Sequence, residues 1–239
     1  MALHSKSKVA DYIYCHSHFL HSCLVQCEEL YQHDMGFSCM MVLFNCLENI
    51  SRSVLNDYTL NLYDIFSSLH EKGYLSLKEY EFLNKGDFCL RKIRNLYAHK
   101  NAAAICFVEF YDGREHLWPL TENDTSLMLY EKISDITFNL MGKIVAVGFI
   151  DTVKEMFQQP LDDYIDECII HHKSLTSKEL LVLKGYPEDY IPDDTSIPED
   201  ARIRIVDCAP DLNATLSIYS RIMNLLQTEK DSGEDQENQ

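Results

Sequence analysis

Proline placement constrains this chain more than any other feature. All six prolines (Pro119, Pro160, Pro187, Pro192, Pro198 and Pro210) lie at or beyond residue 119, and the first 118 residues contain none. A helix interior tolerates proline poorly, so the front half is free to form long helices and the back half is punctuated. The chain has 239 residues, 46% of them hydrophobic, enough for one large core with an appendage. Apolar spacing predicts helices over Lys6–His33, Phe37–Leu55 and Asn61–Lys72, the last stopped by Gly73. Ser76-Leu77-Lys78-Glu79 reads as a capping box opening a further helix, broken near Gly86 and resumed over Asp87–His99. Two alternating runs, Ile105–Tyr111 and Glu115–Leu120, flank Asp112-Gly113 and predict a β-hairpin. Helical periodicity then returns from Asp124 to Phe157. The expected fold is therefore all-α: an antiparallel helical bundle with one inserted hairpin near 104–120 and a C-terminal helical extension.

Boundaries follow from composition. Residues 1–158 read as the helical domain and 159–228 as the extension. Within the extension, Tyr186–Asp200 holds three prolines and six acids without a lysine or arginine, an acidic connector. His171-His172 reads as a solvated helix end. A last helix over Leu212–Leu226 shows an apolar stripe at Leu212, Leu216, Tyr219 and Met223 and needs something to pack on. Residues 229–239 form an acidic tail expected to be disordered.

Charge narrows the function. With 21 Lys and Arg against 38 Asp and Glu, the formal net charge is −17. Such a chain does not coat nucleic acid or an anionic membrane through bulk electrostatics. The first residues, MALHSKSKVADYIYCHSHFLHSC, lack the apolar stretch of a secretory signal, and the longest apolar run, Leu140–Ile150, is too short to span a bilayer. Nine cysteines without a C-x-x-C pair do not form a disulfide framework and suit a reducing cytoplasm. Cys15, Cys23, Cys27 and nearby histidines offer a candidate metal set. Cys27, however, falls on the apolar stripe Ile13, Leu20, Leu24, Tyr31, and packing is the preferred reading.

One segment departs from the acidic background. Residues 85–100, KGDFCLRKIRNLYAHK, carry Lys85, Arg91, Lys92, Arg94 and Lys100 against Asp87, a net of +4. On a helix Arg91, Asn95 and His99 are successive i, i+4 neighbours. Asn95 can then fix the tautomer of His99, as a general base or acid requires, while Arg94 brings a planar guanidinium to a phosphate. Ile93, Leu96 and Leu90 point toward the bundle.

Arg94-Asn95-Leu96-Tyr97-Ala98-His99 resembles the R-x4–6-H motif of the HEPN family. Its setting is similar too: a long first helix, a second helix with Glu48 and Arg52 at i, i+4, and the motif deep in a later helix, over roughly residues 6–157. The resemblance implies a metal-independent endoribonuclease without cofactor, acting as a homodimer whose motif lines a cleft between protomers. It implies Arg94 and His99 as catalytic residues, with Asn95 orienting, and Arg91, Lys92 and Lys100 as RNA contacts. It also implies a toxin or anti-phage effector cutting a defined RNA such as tRNA, and an antitoxin or defence-system partner. One subgroup is silenced by adenylylation of a tyrosine two positions after the motif histidine; Asn101 stands there in this chain.

Other readings stay open at this level. A HEPN-like bundle without catalysis would serve as a dimerising or nucleotide-binding scaffold, with the connector and final helix as its docking arm. Glu48 and Arg52 read more readily as an ordinary helix pair than as a wall of the groove. Trp118 and His116 read more readily as packing of the hairpin than as a stacking platform for a base.

Overall fold

The structure, a computed structural model, describes residues 3–86, 88–99, 102–149, 155–157, 160–190 and 197–234. The side chains of His99, Ala104, Tyr111, Tyr190 and residues 224–234 lie outside that description. The chain is mostly helical with a small three-stranded sheet, and it divides into two compact units, Met1–Lys173 and Ser174–Gln239.

Local capping decides where the first unit's helices begin and end. The expected single helix over Lys6–His33 is two, α1 (Lys6–His16) and α2 (His18–Gln32). Ser17 is the cause. Its backbone is extended, its N–H donates to the Ile13 carbonyl at 2.8 Å, and its hydroxyl accepts from the Leu20 N–H at 3.3 Å. One serine closes a helix and caps the next.

Helix α3 (Gly36–Leu55) follows and ends on Asn56 in the left-handed conformation. It packs against α2, α4 (Leu62–Glu71), α6 (Leu90–His99) and α7 (Asn123–Ala146), burying Met40, Leu43, Phe44, Leu47 and Ile50. At its first residue the neighbouring backbone comes close. A Cβ on Gly36 would lie 2.4 Å from the Asn123 carbonyl oxygen and 2.9 Å from the Leu127 nitrogen. Asn123 spans the junction, accepting the Gly36 N–H at 2.8 Å and donating to the Asp34 carbonyl at 2.8 Å.

Between α4 and α6, the capping box at Ser76 and Glu79 forms as expected and opens α5 (Leu77–Tyr80). A π-helical turn over Glu81–Lys85 then widens the chain, closed by Gly86 N–H on the Glu81 carbonyl at 2.9 Å. Glu79 is fully buried and meets Lys143 of α7 through both carboxylate oxygens, at 2.6 and 2.8 Å.

The expected hairpin forms as β1 (Ile105–Tyr111) and β2 (Arg114–Pro119), antiparallel, with Tyr111 opposite Arg114. Asp112 and Gly113, at φ 51° and 73°, supply the double left-handed turn that matches strand twist. The sheet has a third strand that periodicity did not show. β3 (His171–Ser174) lies on the other side of β1, so His171-His172 belong to a strand, not to a helix end. Phe88 explains the docking: its ring stacks on His172 at 4.4 Å and meets Phe107 edge-on at 5.2 Å.

Helix α7 stops at Ala146 rather than continuing to Phe157. The Gly148 and Phe149 N–H groups turn back onto the Val145 and Ala146 carbonyls. Phe157 fills the notch at Gly142, where a Cβ would lie 2.5 Å from its ring. Helix α8 (Asp162–Glu167) packs on α5, so residues 160–173 join the first unit although the composition boundary falls at 158.

The second unit holds α9 (Ser177–Leu183), α10 (Glu199–Asp207) and α11 (Leu212–Glu234). Helix α10 starts at the end of the acidic connector, at Glu199. Lys184 gathers its end, donating to the carbonyls of Val206, Asp207 and Ala209 at 3.0, 2.7 and 3.0 Å. Residues 191–196 of the acidic connector and 235–239 of the tail lie outside the described residues, and the helical backbone reaches Glu234 inside the segment expected to be disordered. Among the described residues, no helix is long and apolar enough to cross a membrane.

The cysteines divide by burial. Cys27 donates to the Cys39 carbonyl at 3.2 Å and lies 3.3 Å from the Tyr130 hydroxyl, inside the core as its stripe suggested. Among the described residues, no group of three or more His, Cys, Asp or Glu is placed to hold a metal ion. Burial pushes the Cys27 thiol up to about 12 and the Cys39 thiol to about 11.

Two predictions follow from this packing. Gly36→Ala forces the α3–α7 junction apart and is expected to lower stability by about 1–3 kcal/mol, read from denaturant midpoints. An aromatic disulfide reagent at neutral pH is expected to label exposed Cys15 and Cys208 at once, and Cys27 and Cys39 upon unfolding. Fast native labelling of Cys27 would contradict the packing of α2 on α3.

Candidate functional site

Helix α3 carries Glu48 and Arg52 one turn apart. Arg52 grips one carboxylate oxygen of Glu48 with both Nε and Nη2, at 3.2 and 2.8 Å. Its Nη1 donates to the Tyr58 carbonyl at 2.8 Å, which ties the loop after α3 to the pair. The other Glu48 oxygen accepts Arg94 Nη2 from α6 at 3.1 Å. The helix pair expected from spacing does form, and it also extends across to the motif arginine. One carboxylate thus serves two guanidinium groups, each partner less than a third exposed. Such partly buried pairs are screened less than surface ones.

Arg91, one turn earlier on α6, is held differently. Its Nε donates to Asn84 Oδ1 at 2.6 Å and its Nη2 to the Asn84 carbonyl at 3.1 Å. Asn84 is 1% exposed and stands in the π-helical turn. Its amide nitrogen donates to the Tyr63 carbonyl at 3.1 Å and to Ser67 Oγ at 3.3 Å. The Arg91 guanidinium lies 5.3 Å from the centroid of the Tyr63 ring. A buried amide therefore presents Arg91 at a fixed angle.

These groups line one open cavity of about 290 Å³, walled by Glu48, Arg52, Asn61, Leu62, Tyr63, Arg91, Arg94 and Asn95. Three arginines against one glutamate give it a formal +2 in a chain of −17. A larger cavity of about 450 Å³ lies between β1, α7 and residues 169–171. Its walls are mainly apolar, with Glu109 and Lys132 already paired at 2.9 Å. The smaller cavity gathers the charged side chains.

The residues expected from sequence distribute as follows. Arg91, Arg94 and Asn95 are brought together in the cavity. Asn95 Oδ1 lies 3.4 Å from Arg94 Nη1. Lys92 is exposed on α6 and is not among the lining residues. His99 is the last residue of α6, and its side chain lies outside the description, as do Lys100 and Asn101 altogether. The inward face of α6 buries Leu90, Ile93, Leu96 and Tyr97. Burial pushes the Tyr97 phenol up to about 12 against the opposing hydrogen bond with Ser126 Oγ at 2.8 Å. Trp118 packs against the core, while His116 is exposed on β2.

Sequence reasoning missed Tyr63, Asn84 and Asn61. Nothing in the local pattern announces that a buried amide seven positions before Arg91 will hold it, because the π-helical turn decides where Asn84 points. No family model, curated protein or solved structure matches this chain.

The shared carboxylate generates a prediction. Glu48→Gln keeps the shape but removes the charge that holds Arg52 and Arg94 near one another. Stability is expected to fall by about 1–3 kcal/mol, and by less in high salt, measured by urea unfolding at two ionic strengths.

Proposed function

We propose that this chain is a metal-independent endoribonuclease of the HEPN type, working as a homodimer on a defined RNA such as a tRNA. The observation that carries the reading is the convergence of Arg94, from the R-x4–6-H motif, with Arg91 and Arg52 on one cavity that also holds Asn95. Guanidinium groups gathered around one cavity suit a phosphodiester as charge builds on its oxygens.

The chemistry assigned to the residues is transfer within the RNA. The ribose 2′-oxygen attacks the adjacent phosphorus as His99 takes its proton, a 2′-O–P bond forms, and the P–O5′ bond breaks. A proton delivered to the departing 5′ oxygen completes the step, and the products are a 2′,3′-cyclic phosphate and a 5′-hydroxyl. Arg94 stabilises the five-coordinate phosphorus and Asn95 orients the imidazole. Arg91 holds a neighbouring phosphate, with Lys92 and Lys100 as outer contacts. A two-fold pair of chains brings a second histidine, so base and acid are both supplied. The chain's −17 charge favours one recognised RNA over general RNA binding. Restraint by an antitoxin or defence-system partner in the cytoplasm belongs to the same reading.

A second reading draws on Glu48. Its carboxylate already occupies Arg94 and Arg52, as a purely structural network would, and this favours a non-catalytic, dimerising or nucleotide-binding module. Total tRNA incubated in chelator decides between them. The parent is expected to leave cyclic-phosphate ends, with the rate reduced at least a hundredfold in His99→Ala and in Arg94→Ala. Equal cutting by parent and His99→Ala, or an inert parent on a broad RNA panel, overturns the nuclease reading.

A further inference from the structure

The function proposed above uses the arginines of the cavity and leaves its aromatic wall unexplained. Tyr63 stands at the second position of α4, and 47% of it is exposed. That is high for a residue whose backbone is tied to a buried amide. The Asn84 side chain donates to its carbonyl at 3.1 Å, and Asn61, two residues earlier, caps α4 by accepting the Asp64 N–H at 3.1 Å. The backbone beneath the ring is therefore fixed by two hydrogen bonds. The Arg91 guanidinium lies over the ring, 5.3 Å from its centroid, and also lines the cavity. A half-exposed ring with a guanidinium over one side is suited to receive a planar group on the other.

We infer that Tyr63 is a base-stacking subsite of this cavity, and that the cavity takes an unpaired nucleotide: a nucleobase on Tyr63 and its phosphate on Arg91 and Arg94. The inference rests on the reading of the cavity as an RNA site and deepens it by naming the substrate class. A ring can stack on a base whose face is free, and in a duplex both faces are covered by neighbouring pairs. Single-stranded loops or ends are therefore selected over helical RNA. Every base has a π-face, so the subsite chooses strandedness rather than sequence. Stacking also compensates for the chain's overall charge, because it adds affinity that does not depend on attracting phosphate.

The test measures binding by fluorescence anisotropy, with a labelled 2′-fluoro RNA pentamer that lacks the attacking hydroxyl and stays intact. Its probes are that strand, the same sequence in duplex form, and an abasic strand with equal phosphates. The proteins are the parent, Tyr63→Phe, Tyr63→Leu and, as an exposed aromatic on α2 outside the cavity, Phe19→Ala. Tyr63→Leu is expected to weaken the single strand roughly 5- to 150-fold, while Tyr63→Phe and Phe19→Ala stay within about threefold of the parent. The abasic strand is expected to bind the parent and Tyr63→Leu alike. An equal loss on abasic and base-bearing strands would show that the ring merely braces Arg91. Unchanged single-strand binding in Tyr63→Leu would place the base elsewhere, and either result overturns the inference while leaving the RNA site standing. A parent that binds none of the probes overturns this inference, while the cleavage assay on total tRNA decides the RNA reading itself.

Discussion

Two guanidinium groups, Arg52 from α3 and Arg94 from α6, meet at the single carboxylate of Glu48. Like charges so placed would repel without it. Because Glu48 stands on α3, the helix packed on four neighbours, the position of the motif arginine is inherited from the core. The carboxylate is therefore both a fastener between two helices and the element that sets the electrostatics of the cavity. A partly exposed pair of this kind gains modest net energy. Its larger effect is geometric, since it fixes where two forks of hydrogen-bond donors face.

The same economy operates further out. Gly36 lets the start of α3 touch the start of α7 backbone to backbone, and Asn123 bridges the two with both ends of its amide. Asn84 does comparable work at the π-helical turn, satisfying Arg91, the Tyr63 carbonyl and Ser67 from one buried side chain. Buried amides can serve in this way because each offers an acceptor and two donors, and an unmet one is costly. The site is thus built on long-range polar contacts laid over an apolar frame.

That division explains what could be read from the sequence. Local chemistry was legible: the capping box at Ser76, the Asp112-Gly113 turn, the span of α3 and the inward face of α6 all follow from patterns within a few residues. The missed features depend on partners distant in sequence. Ser17 breaks a helix whose apolar stripe runs through it, β3 carries His172 onto Phe88, which packs on Phe107 of β1, and Phe157 fills the space at Gly142 of α7. At the site, Arg91, Arg94 and Asn95 were visible as one basic, amphipathic turn. Tyr63 and Asn84 were not, since their relation to Arg91 arises from the widened π-helical turn and the placement of α4. Arg91 itself changes meaning: spacing aligned it with Asn95, whereas the structure commits two of its donors to Asn84.

For the proposed ribonuclease, a pre-formed bond between Glu48 and Arg94 has a consequence for selectivity. A phosphate entering the cavity must compete with a carboxylate already in place, which lowers affinity for every anion. A ligand that also offers a base to Tyr63 recovers affinity through a contact that Glu48 cannot oppose. Free phosphate and duplex backbone lack that second contact. In a chain of −17, where the bulk field repels RNA, discrimination then comes from requiring both contacts at once rather than from stronger attraction to either.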